Sequence, residues 1–142
     1  MENEKNKFQF QIVGIELLSG EILPLTMELK EVMDFTFQVN IEHRLEENLK
    51  LFFVVVKVEV GDKENKRYGS ITVSCIFKLN NIEEIIEVKE NSRSVPPNIS
   101  TLLNSISIST TRGVMFSTFK GTYLHNVVLP IVDPNAFISL SK

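Results

Sequence analysis

The stretch Ser94–Phe137, SVPPNISTLLNSISISTTRGVMFSTFKGTYLHNVVLPIVDPNAF, decides how the rest of this 142-residue chain is read. Ile99, Leu102, Leu103 and Ile106 stand at i, i+3, i+4 and i+7, the apolar stripe of an amphipathic helix. Pro96-Pro97 suits the start of that helix and Gly121 its end, and Met115, Phe116 and Phe119 carry the stripe onward. Against it stand nine Ser/Thr residues between Ser100 and Thr118, all weak helix formers. Ile106-Ser107-Ile108-Ser109 taken alone would pass for strand alternation. The stripe predicts a long helix held by tertiary packing rather than by propensity. Ser109, Thr110 and Gly113 are small enough to let a second helix or a sheet approach closely. Beyond Gly121 the chain turns through Thr122-Tyr123-Leu124 and extends over Val127-Val128-Leu129, where Pro130 biases Leu129 away from helix. Asp133 as cap and Pro134 at the first helical position predict a short terminal helix.

Working outward, the segments before this stretch read as strands that need a cover. Phe8, Phe10 and Ile12 alternate with Gln9 and Gln11, and the run continues to Ile15 with a bend allowed at Gly14. From Leu17 to Val32 the pattern loosens around Gly20 and Pro24, which predicts a long crossover. Phe35, Phe37, Val39 and Ile41 alternate with polar residues as a second strand. Leu49–Val60 is a third, whose LFFVVV centre is apolar on both sides. That pattern fits a central strand or one buried against a second subunit. After a charged loop at 61–66, Ile71, Val73, Cys75, Phe77 and Leu79 form the apolar face of a fourth. Turn-length gaps between the last three strands predict antiparallel pairing. Asn81 with Glu84 reads as a capping box on a short helix, and Glu87 to Arg93 as a charged connection. The class is α+β: a four-stranded antiparallel sheet with a long crossover after strand 1. A long helix in the C-terminal half packs on the apolar face, and a short terminal helix follows. A single domain over residues 1–142, with a flexible tail at 1–7, is expected.

Composition narrows the function class. A net charge of −3 and a pI near 5.5 argue against a nucleic-acid module. The one cysteine, Cys75, lies in an apolar run and reads as a buried, inert thiol, with no disulfide or Cys-rich metal site. MENEKNK is not followed by an apolar segment, so no signal peptide is expected, and Leu51–Val56 is too short to span a bilayer. His43 and His125 read as surface histidines without metal-ligating partners. No nucleophile elbow or phosphate loop is present, and Glu83-Glu84 with Glu87 and Glu90 reads as a solvated face. The chain is therefore expected to be no enzyme, with no cofactor, no metal, no nucleic-acid partner and no membrane insertion. A cytoplasmic location follows. One helix about 10 Å wide cannot cover four strands spaced about 4.8 Å apart, which predicts homo-oligomerisation over the excess. The residues expected at that interface are Phe8 and Phe10 with Leu102, Leu103, Ile106, Thr110 and Gly113.

Phe119-Lys120-Gly121-Thr122-Tyr123, then Leu129-Pro130, then Asp133-Pro134-Asn135-Ala136-Phe137 resemble the C-terminal half of the SecB family of protein-export chaperones. Ile76-Phe77-Lys78-Leu79-Asn80-Asn81-Ile82-Glu83 is similar to that family's fourth strand and following turn. The order of elements agrees as well. Lys120 stands where the family often has Arg. The resemblance implies a homotetramer, a dimer of dimers with long helices between two eight-stranded sheets. It implies a holdase that binds unfolded or precursor polypeptides in apolar grooves without ATP. Clients would lie against Phe35, Phe37, Val39 and Ile41, with Phe137 and Leu140. The SecA motor is an implied further partner, and a toxin–antitoxin pair an alternative client. A rival reading is a non-enzymatic regulatory protein of the same fold that grips one specific partner.

Overall fold

In the computed structural model, residues 9–25 and 34–133 are described. The strands are β1 (Phe10–Ile22), β2 (Thr36–Glu46), β3 (Leu51–Gly61) and β4 (Arg67–Leu79), joined as one antiparallel sheet in the order β1-β4-β3-β2. The first two strands in sequence thus lie at opposite edges, so their connection crosses the width of the sheet. Residues 26–33 of that crossover lie outside the described residues, as do Phe8, the tail at 1–7 and the terminal helix expected from Pro134 onward. A four-residue helix α1 (Ile82–Ile85) follows β4, and the long helix α2 (Pro97–Thr118) packs against β3 and β4.

Alternation places the core. Phe52, Val54, Val56 and Val58 of β3 pair across with Phe77, Cys75, Val73 and Ile71 of β4, and these are buried together with Val60 and Leu79. From above they meet Ile99, Leu103, Ile108 and Met115, with Phe119, Leu124 and Leu129 closing the ends. Burying one such side chain contributes about 1.5–3 kcal/mol, which compensates the weak helix propensity of α2. The helix also uses its hydroxyls internally. Ser107 and Thr111 donate to the carbonyls of Leu103 and Ser107, both at 2.7 Å, and Thr110 donates to Ile106 at 2.9 Å. Small side chains satisfied in this way keep α2 close to the strands. Gly121, at φ 84°, ends the helical region in the left-handed conformation. At Gly69 a Cβ would stand 2.8 Å from the Glu21 carbonyl and 2.9 Å from Leu124, so only glycine admits both neighbours.

Three local expectations are corrected. β1 does not stop near Ile15 but runs on to Ile22, because bulges between Ile12 and Gly14 and between Leu17 and Ser19 absorb the break in alternation. The capping box does not form. The Asn81 side chain instead accepts the Gln9 backbone N–H at 3.1 Å, tying α1 to the start of β1. The charged connection is a small hairpin, β5 (Glu87–Lys89) and β6 (Ser92–Ser94), turned at Glu90 with φ 51°. The reading of LFFVVV as a central strand holds, and its outward Phe53 and Val55 are half-buried.

Candidate polypeptide-binding surface

β2 is an edge strand with its alternation intact. Phe37, Val39, Ile41, His43 and Leu45 point toward the core side, in line with Phe35 just before the strand. Thr36, Gln38, Asn40, Glu42 and Arg44 point to solvent. Phe35, Phe37 and Val39 are half-buried, left partly open because α2 sits over β3 and β4 rather than over the edge. The Phe35 ring meets Tyr68 edge-on at 5.8 Å. Tyr68 is itself fixed by donating to Asp62 at 2.7 Å. That bond to a carboxylate pushes the Tyr68 hydroxyl up to about 12 and pulls Asp62 below the usual carboxylate value. Ile41 differs from its neighbours: it is buried in the core, so the expected client row shortens at that point.

The row then enters a groove of about 660 Å³. His43, Leu45 and Phe52 form its floor, the β5–β6 hairpin with Lys89 and Arg93 its wall, and Val95 and Ser100 its far side. Arg93 is held by a two-oxygen contact with Glu47 at 2.8 and 3.0 Å, which pins the hairpin to the turn after β2. The expectation for His43 is corrected here. It is no surface residue: its Nε2 sits 2.6 Å from Oδ1 of the buried Asn104, and its ring packs on Phe52 with centroids 5.0 Å apart. Burial holds the imidazole below its ordinary value, with the Asn104 bond opposing in part. Burial likewise raises the Cys75 thiol, which lies enclosed in the core. His125 is exposed. The groove was missed in sequence because the hairpin that walls it has no apolar alternation; Asn91 at the turn was the available signal.

At the opposite edge of the same sheet lies a second apolar surface. Ile12, Val13, Ile15, Leu17 and Leu18 of β1 are each between 43 and 52% exposed. On α2, Asn104 reaches His43 of β2, and Leu102 and Ile106 lie on the side of the helix away from Asn104. Leu102 is exposed, Ile106 and Thr110 are half-buried, and Gly113 has open space beside it. Phe10 lies half-buried, edge-on to Phe77 at 6.2 Å. Leu103 is corrected: it is fully enclosed by its own protomer, because it falls on the sheet-facing side of α2. Phe8, Phe137 and Leu140 lie outside the described residues.

After Phe119 the chain doubles back along α2. Arg112 donates to the carbonyls of Leu129 and Pro130 at 2.7 and 2.9 Å, and the Tyr123 hydroxyl donates to the carbonyls of Leu23 and Tyr68. Val127 and Leu129 are thereby pressed into the core. Among the described residues, no helix is long and apolar enough to cross a membrane, and no three metal-ligating side chains gather.

No family model matches the chain, and no curated protein matches its sequence. Among solved structures it is similar to a SecB-like chaperone of Mycobacterium tuberculosis, determined in complex with a ChAD peptide from the HigA1 antitoxin. The two share 11% identity at a TM-score of 0.62, over 87% of this chain and 89% of that one. The antiparallel sheet, the crossover from edge to edge and the long helix across the inner strands give this chain a SecB-like fold.

Proposed function

We propose that this chain is a chaperone of holdase type. It binds unfolded or precursor polypeptides in extended form along the inner side of β2, at Phe35, Phe37 and Val39, with Phe137 and Leu140 completing the groove. The observation that carries this reading is the half-buried apolar row on an edge strand of a SecB-like fold. Such a row gains hydrophobic free energy from any passing apolar side chain, at about 25 cal/mol per Å² removed from water, and discriminates little among sequences. Binding of this kind needs neither ATP nor a catalytic group, and the protein acts as no enzyme.

The working form is a cytoplasmic homotetramer, a dimer of dimers. β1 and the exposed flank of α2 form its contacts through Phe8, Phe10, Leu102, Ile106, Thr110 and Gly113. The exposed Ile12, Ile15 and Leu17 support that placement, since a contiguous apolar surface of several hundred Å² on a free monomer marks an interface. Delivery to the SecA motor would place the protein in export. A second reading, one dedicated partner such as an antitoxin, is favoured by the antitoxin peptide held by the mycobacterial neighbour.

Aggregation of three unrelated unfolded proteins, followed by turbidity without ATP, separates the two. The holdase reading expects all three to be suppressed near one oligomer per chain. Suppression of none, together with tight binding to one native partner, overturns it in favour of the dedicated reading.

A further inference from the structure

Every second residue of an antiparallel edge strand turns its N–H and C=O away from the sheet, leaving a row of unmade hydrogen bonds. Proteins commonly blunt such edges with bulges, prolines or lysines. β1 carries two bulges. β2 carries none: its eleven residues pair with β3 without a register shift, and the run TFQVNIEHRLE contains no Pro, Gly or Lys. Among the described residues no strand pairs with its outer side. An open edge about 36 Å long, at about 3.3 Å per residue, is complementary to one thing only, another extended backbone.

Resting on the chaperone reading, we propose that the client is captured as a fifth strand added to the outer edge of β2. Main-chain hydrogen bonds supply sequence-independent affinity, and alternate client side chains cover Phe37 and Val39. The added strand runs toward Leu45, so its end residue enters the groove of about 660 Å³ floored by His43, Leu45 and Phe52. Two observations select a client over a second copy. The apolar area that a stable dimer needs is on β1, where five large side chains stand about half exposed. Along β2 the apolar groups are already half covered, which suits a contact that must also release. The main-chain component explains how one surface serves polypeptides of different sequence.

The test uses the full-length, ¹⁵N-labelled protein and an eleven-residue peptide alternating Val or Phe with Thr or Lys. Peptide binding should slow amide exchange at every second residue of 36–46 by at least tenfold, leaving the residues between unchanged. N-methylation of the peptide at one phase of alternate positions should weaken binding at least tenfold, and at the other phase less than twofold. Binding without either period-two pattern overturns the added strand and leaves the chaperone reading standing. Outward amides of β2 already slow in the free protein also overturn it, because a segment of the chain or a second copy then holds the edge. No binding of this or any other unfolded peptide overturns both.

Discussion

Along β1, two bulges break the ladder and five large apolar side chains stand between 43 and 52% exposed. Along β2, eleven residues run unbroken, with polar groups outward and an apolar row half-covered inward. Both strands close the same sheet, and each has one inner neighbour, β4 or β3. The difference comes from what lies above them. Over β2, Asn104 of α2 meets His43, and the β5–β6 hairpin stands against the end of the row at Leu45. Over β1 the apolar side chains stand about half exposed, and on α2 Leu102 and the space beside Gly113 are open as well. A surface that is mostly bare in the protomer suits a permanent partner, whereas one that is half-finished suits a transient one.

The comparison is broken most severely by loosening the sheet that both edges share. Phe77 touches Phe10 of β1 and pairs with Phe52 of β3, so Phe77→Ala should cost about 3–5 kcal/mol in denaturant unfolding. Next, Ile15→Lys with Leu17→Lys charges the bare edge and should drop the mass in light scattering toward the 16.2 kDa of one chain. The third change acts on the other edge. Phe37→Ser with Val39→Ser should weaken binding of an unfolded polypeptide at least tenfold, about 1.4 kcal/mol, with the oligomeric mass unchanged. The smallest effect concerns His43 beneath the groove. Its folded value is lowered, so the unfolded chain takes up a proton first as pH falls. Stability should therefore decline from pH 6.5 down to that lowered value and level off below it. His43→Gln should flatten this stretch of the pH profile, read from denaturation midpoints between pH 7 and 5.

Much of the fold was legible because its strands obey period two. β3 begins at Leu51 and β4 ends at Leu79, close to where alternation sets them, and the Ile99-Leu103 stripe located α2 despite its hydroxyls. What escaped has physical reasons. Bulges shift the phase of β1, so Leu17 and Leu18 looked like the start of a crossover although pairing with β4 continues through Ile22. The β5–β6 hairpin is paired by backbone alone, among Glu, Lys, Ser and Arg, and leaves no apolar trace. Asn81 had a plausible local partner in Glu84, but a backbone N–H 72 residues away in sequence won. His43 followed the same logic: the sequence shows a histidine in a strand, and only the fold brings Asn104 against it. Of the half-buried apolar row on β2, Phe37 and Val39 were legible from alternation, while the groove that extends it was not.

The central claim is that assembly and client capture sit on opposite edges of one sheet. Size-exclusion light scattering with a fluorescent unfolded polypeptide tests it directly on the two paired variants. The account predicts that Ile15→Lys/Leu17→Lys loses mass and still carries polypeptide per chain, while Phe37→Ser/Val39→Ser keeps its mass and elutes without polypeptide. A β1 variant that retains its mass, or a β2 variant that still carries polypeptide at full occupancy, would contradict it.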